Sequence, residues 1–153
     1  MTLQELVKAL DLEELTPSLC AGGGFAAAPG AEGAASDAGA ALDGTPSAGA
    51  APDGGAPDAG PDITRGYASD LLSDVLANAP QGGILVTLQV HLNVIAVASH
   101  AGLRAVIFSC GRRPENDVIE RAAEEGLVLL GSKADTFELA GRLYQLGLRG
   151  STE

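Results

Sequence analysis

The chain has 153 residues, with 20 Asp and Glu against 9 Lys and Arg, a formal charge of −11. That length suits one domain and is too short for two separate cores. With one adjacent basic pair, Arg112-Arg113, and with three Phe, two Tyr and no Trp, the composition argues against nucleic acid, which is bound through clustered cations and aromatic platforms.

Thr2 and Glu5 form a capping box ahead of Leu3, Leu6, Val7 and Leu10, so a short amphipathic helix is predicted over residues 3–10. A short strand is expected over Leu12–Leu15. The composition then changes abruptly. Residues 21–61 hold 15 Ala, 11 Gly and 5 Pro, so 31 of 41 positions cannot fill a core with large apolar side chains. Glu32, Asp37, Asp43, Asp53 and Asp58 carry −5 of the charge there, leaving −6 for the rest. A stretch of this kind cannot offset its own ordering entropy and is expected to be a long disordered Ala/Gly/Pro insertion. Closing a 41-residue loop costs only about 1.2 kcal/mol more than closing one of about 10 residues. The first helix can therefore still dock on the remainder.

Past the insertion the pattern is regular. Ser69 is placed as the cap of a helix reaching Asn78, with Leu71, Leu72, Val75 and Leu76 apolar and Asp70, Asp74 and Asn78 on the opposite face. Ile84-Leu85-Val86-Thr87-Leu88 reads as a buried strand, and the run from about Leu92 to Ala101 as a helix stopped by Gly102. Ala105–Phe108 is the next strand. Gly111-Arg112-Arg113-Pro114 then turns into a helix that Gly126 ends. Leu127–Leu130 is a further strand, and Gly131-Ser132 opens a last helix that closes at Gly147. Strands alternating with helices across short connections predict an α/β fold: a small parallel sheet of three to four strands covered by helices. The domain is expected to span 1–20 and 62–149, with 150–153 as a tail.

No span of about 18 apolar residues occurs, and Met1-Thr2-Leu3-Gln4-Glu5 lacks the basic flank and apolar run of a signal peptide. A cytoplasmic protein with no membrane partner is the expectation. Cys20 and Cys110 fit no metal spacing and are expected to be reduced thiols, with neither metal nor cofactor anticipated.

In an open α/β sheet, ligands collect beyond the carboxyl ends of the strands, where helix N-termini offer free N–H groups. Gln89, His91 and Asn93 alternate just after an apolar strand; they either contact a ligand or, for His91 and Asn93, cap the following helix. His91 and His100 lie nine residues apart, on opposite sides of a helix, and do not form a chelating pair. Arg112 and Arg113 precede a helix and either hold a carboxylate or phosphate or pair with Glu115 or Asp117 across a solvated turn. Asp70 and Asp74, at i and i+4, either act as paired carboxylates or bind a divalent cation, or are first-turn acids on a solvated face. Gly126 to Lys133 imitates a P-loop, but its middle residues are a strand and its order is Gly-Ser-Lys, so that reading is rejected; Lys133 can still lend charge to the edge.

Asp62-Ile63-Thr64-Arg65-Gly66, followed by Tyr67 to Val75, resembles the DRTGG-domain family, which is also similar to the N-terminal domain of HPr kinase/phosphorylase. Asp62, Thr64 and Gly66 match the name-giving pattern, while Ile63 and Arg65 stand where it has Arg and Gly. Gln89 to Ala98, Gly111-Arg112 with Pro114, and Phe137 to Ala140 look like further family segments. The resemblance implies a bacterial α/β module that regulates or interacts, found alone or beside enzyme domains such as phosphotransacetylase and CBS pairs. It does not imply a kinase, whose chemistry resides in a separate P-loop domain.

The expected function is thus a non-enzymatic regulatory or interaction module. It would bind a small anionic, nucleotide-like ligand or a partner protein through Thr64, Gly66, Gln89, His91, Asn93, Gly111 and Arg112, as a homo-oligomer. One alternative is an enzyme acting on a phosphorylated metabolite with His91 as acid or base. The other is a structural adaptor in an oligomer.

Overall fold

The computed structural model describes residues 1–16 and 62–151. The insertion expected over 21–61, together with Cys20, lies outside the described residues.

The capping box closes as expected: Glu5 N–H donates to Thr2 Oγ1 at 3.3 Å, and Thr2 N–H donates to Glu5 Oε2 at 2.7 Å. Helix α1 (Leu3–Leu10) follows and buries Leu6 and Leu10. The chain continues through β1 (Glu13–Glu14), β2 (Gly66–Ala68), α2 (Leu72–Asn78), β3 (Ile84–Thr87), α3 (Asn93–His100), β4 (Ala105–Phe108), α4 (Asn116–Glu124), β5 (Val128–Gly131) and α5 (Thr136–Gln145).

These strands form one mixed sheet of five in the order β1-β5-β4-β3-β2, in which β2 to β5 are parallel and β1 is antiparallel to β5. The expected parallel sheet of three to four strands is corrected on two counts. Strand β2 has three residues and begins with Gly66, which leaves no alternating pattern to read. Pairing makes it a strand: Gly66, Tyr67 and Ala68 register with Ile84, Leu85 and Val86, and Gly66 N–H donates to Arg149 O at 2.9 Å. Strand β1 falls within the expected Leu12–Leu15 strand but runs antiparallel, its two exposed glutamates pairing with Leu130 and Gly131. Its charge suits an edge that must not recruit another chain.

Helix starts also shift. Helix α2 begins at Leu72, not after Ser69, because Ser69 remains in the turn, its Oγ accepting from Leu71 N–H at 3.2 Å. Helix α5 begins at Thr136, not at Gly131-Ser132, because Gly131 completes β5 and Asp135 supplies the cap, accepting from Glu138 N–H at 2.8 Å. The P-loop imitation is therefore a strand and turn.

Parallel neighbours joined in sequence by right-handed crossovers place every connecting helix on one face. There Val75, Val94, Ile95, Ala98, Val118 and Ala122 from α2, α3 and α4 meet Leu85, Val106, Phe108 and Leu129. Leu6, Leu10, Leu139 and Leu143 from α1 and α5 meet Ile84, Val86, Ala105, Ile107 and Leu130 on the other face. Because both faces are covered, β3 and β4 are buried at all four positions and read as unbroken apolar runs. No helix among the described residues is long and apolar enough to cross a membrane.

Candidate functional site

Three connections reach the carboxyl edge beside β3 and β4: Ser69–Leu71 after β2, Leu88–Leu92 after β3 and Ser109–Glu115 after β4. Between them lies an open cavity of about 530 Å³, lined by Asp70, Leu88–Leu92, Arg112, Glu115, Asp117 and Val118.

The first wall is set by a buried hydroxyl. Thr87, the last residue of β3, has no exposed surface; its Oγ1 donates to Asp70 Oδ1 at 3.1 Å and accepts from Gln89 N–H at 3.1 Å. Asp70 Oδ1 also accepts from Leu88 N–H at 2.7 Å. Asp70 thus ties the loop after β2 to the loop after β3. Leu92 is the N-cap of α3 and has no side-chain cap bond; one residue earlier the His91 ring meets the first helical amide, Nδ1 accepting from Asn93 N–H at 3.2 Å. An imidazole that accepts at Nδ1 carries its proton on Nε2, which leaves that nitrogen as a donor. The amides of Val90, His91 and Leu92 have no hydrogen-bond partner among the described residues.

The opposite wall is set by a strained turn. Cys110 and Gly111 both have positive φ, 60° and 69°, and Arg112 N–H donates to Ser109 O at 3.2 Å, the φ pattern of a type I′ turn. Cys110 N–H donates to Ala134 O and Gly111 N–H to Ser132 O, each at 2.8 Å, which anchors the turn to the β5–α5 connection. Arg112 leaves this turn into the cavity lining, and its guanidinium has no ion-pair or hydrogen-bond partner among the described residues. Arg113 instead pairs with Glu13 at 2.6 Å. Neither arginine pairs with Glu115 or Asp117.

Asp70 and Asp74 do not act as a carboxylate pair. Asn78 Nδ2 and the Tyr67 hydroxyl each donate to Asp74 at 2.8 Å. These bonds, with Asn78 the larger influence, hold the Asp74 carboxyl below its ordinary range, while accepting from Tyr67 raises the phenol above its own. No group of three or more His, Cys, Asp or Glu suited to a metal occurs among the described residues.

Of the residues named from sequence, the structure brings Gln89, His91 and Arg112 to one cavity. Asn93 is exposed at the start of α3 and donates its amide to the His91 ring; Gly111 shapes the turn without lining the cavity. Thr64 and Gly66 are corrected. They sit at the amino end of β2, level with the start of β3 or before it, with Thr64 O accepting from Arg149 N–H at 3.0 Å. The resemblance offered residue types, but the direction of β2 puts them on the wrong edge. Lys133 is exposed and outside the lining.

Glu115 and Asp117 are expected only as ion-pair partners, yet they line the cavity together with Val118. Their position in and before the first turn of a helix that follows a parallel strand is the signal that locates them. The lining therefore carries three carboxylates and one guanidinium together with the apolar Leu88, Val90, Leu92 and Val118. One carboxylate, Asp70, is already engaged; Asp117 Oδ1 accepts from Val118 N–H at 2.8 Å. No protein-family model matches the chain, and no curated protein matches it.

Proposed function

We propose that the chain is a non-enzymatic regulatory or interaction module whose carboxyl-edge cavity takes a small ligand bearing a single anionic group. The observation that carries this reading is the uncommitted Arg112 guanidinium lining the same cavity as Gln89, His91 and the three unpartnered amides of residues 90–92. A planar guanidinium with backbone N–H groups nearby is a receptor for carboxylate or phosphate. Glu115 and Asp117 in the same lining set a limit, because a polyphosphate would place further negative charge beside them. A phosphate monoester such as a nucleoside monophosphate, or a carboxylate, satisfies Arg112 with less of that repulsion, and the apolar lining accepts the remainder of the molecule. The resemblance to DRTGG domains supports the regulatory part of the reading.

A thermal-shift screen of nucleotides, acyl phosphates and carboxylates tests it. Binding to the folded state raises Tm, by an amount that grows with ligand concentration over Kd. Monoanionic and monophosphorylated compounds are expected to shift Tm more than triphosphates, and Arg112→Ala to abolish the shift. A larger shift with triphosphates, or an unchanged shift in Arg112→Ala, would contradict the assignment.

A second reading is an enzyme acting on a phosphorylated metabolite with His91 as acid or base, a role that requires the ring to give up the Asn93 N–H and carry a proton on Nδ1. Turnover of acyl phosphates or nucleotides that is lost in His91→Ala, with stability retained, would select it over the binding module.

A further inference from the structure

Helix α5 carries two apolar stripes where the fold needs one. Leu139 and Leu143 are buried against the sheet. On the outward side Phe137, Ala140, Gly141 and Tyr144 follow the i, i+3, i+4, i+7 pattern, with Phe137 90% and Tyr144 59% exposed. That pattern is the signature of a packed helix face. A Cβ built on Gly141 meets nothing within 4 Å, so nothing in the described fold explains a glycine there, and glycine in a helix interior is unfavourable by roughly 0.8–1 kcal/mol relative to alanine.

We propose that this stripe is the contact between two copies of the chain, paired antiparallel about a two-fold axis between Ala140 and Gly141. Charge identifies the occupant. Glu138 and Arg142 form an exposed pair at 2.7 Å on one flank of the stripe, and Arg149 lies over the Tyr144 ring at 4.2 Å. Along the helix the cap Asp135 and then Glu138 come first and Arg142 last, and Arg149 lies four residues past its end. An antiparallel copy sets the acidic end of each helix against the basic end of the other, whereas a parallel copy sets like against like. In the same arrangement Phe137 of one copy meets Tyr144 of the other, and the small residues at the centre allow the axes to approach to about 8 Å, the lower end of helix-pair spacings. Aromatic side chains bury about 150–250 Å² each, and with Phe137 90% and Tyr144 59% exposed the four rings supply at most about 450–750 Å². This lies below the usual size of a specific interface and suits a weak dimer, with Kd of micromolar order or above.

Sedimentation velocity on the full chain, over a concentration series from about 1 to 300 μM that brackets such a Kd, tests the proposal. A monomer–dimer equilibrium is expected. Phe137→Ser and Gly141→Leu should each raise Kd at least about tenfold, the effect of losing roughly 1.4 kcal/mol. Gly141→Leu should leave thermal stability of the dilute chain unchanged or higher, since the added side chain enters open space and favours the helix. Glu138→Arg and Arg142→Glu chains should each weaken self-association, and an equimolar mixture of the two should restore it. A chain that stays monomeric throughout, a dimer that survives both Phe137→Ser and Gly141→Leu, or a mixture that fails to pair would each overturn the proposal.

Discussion

The two edges of the sheet are built on different principles. At the amino edge, main chain closes on main chain: Gly82 N–H donates to Gly102 O and Arg104 N–H to Gly83 O, both at 2.8 Å, while Arg65 Nη1 reaches Gly150 O at 3.0 Å. At the carboxyl edge, side chains hold the backbone. Asp70 and Thr87 order one loop, the His91 ring accepts from the first amide of α3, and Arg112 is left without a partner among the described residues. An edge closed by backbone contacts has little chemistry to spare, so substitutions there should cost stability. An edge ordered by side chains presents functional groups, and substitutions there should separate stability from binding.

The largest expected effect sharpens the amino-edge half of that contrast. A Cβ at Gly83 would lie 2.9 Å from Arg65 O and 3.0 Å from Pro80 O, both main-chain atoms that cannot swing aside. Gly83→Ala should therefore cost about 2–3 kcal/mol, as overpacking does, and lower Tm by roughly 10 °C or more in a thermal melt. A fall of under about 3 °C would show that this edge yields more readily than its geometry implies.

Next comes Thr87→Val, nearly isosteric at a fully buried position. It removes the hydroxyl between Asp70 and the Gln89 amide and should cost about 1–2 kcal/mol, because both partners lose a hydrogen bond. It should also weaken any ligand held by the loop after β3. Unchanged binding would separate loop order from function.

Smaller and opposite in sign are two substitutions in the turn that leads to Arg112. Gly111→Ala should destabilise by about 1 kcal/mol, since an L-residue disfavours the left-handed region. Cys110→Gly should be neutral to stabilising by about 0.5 kcal/mol, relief of strain at φ 60° being partly offset by entropy of the unfolded chain. Urea denaturation would resolve both.

Smallest is the acid response of Asp74. Its carboxyl is held below the ordinary range by Asn78 and Tyr67, so its stabilisation is present above the unfolded-state value and fades as pH falls through the depressed one. Asp74→Asn should flatten the dependence of Tm on pH in that acid window. An unchanged profile would remove Asp74 from the account.

Local chemistry was legible in the sequence where it was self-contained. The Thr2–Glu5 box and the strands Ile84–Thr87 and Ala105–Phe108 follow from neighbouring residues alone. Strand β1 falls within the expected Leu12–Leu15 stretch, whereas β2 is harder because Gly-Tyr-Ala carries no pattern and is defined by the strand beside it. Reading Ser69 as a cap, when its hydroxyl closes a turn after β2, sets the predicted start of α2 too early. At the candidate site, Gln89, His91 and Arg112 could be named because they follow apolar strands. Glu115 and Asp117 looked like partners for the arginines until Arg113 was found on Glu13. Thr64 and Gly66 were assigned to the wrong edge because a short motif carries no strand direction.

The most direct test of the carboxyl-edge account is an NMR titration of the ¹⁵N-labelled full chain with adenosine monophosphate, inorganic phosphate and acetate, repeated on Arg112→Ala. Shifts should concentrate on the amides of Val90, His91, Leu92 and Arg112 with at least one of these anions, and vanish in the variant while its Tm stays within about 2 °C of the parent. Shifts centred on Thr64 and Gly66, or a response that persists without the guanidinium, would contradict it.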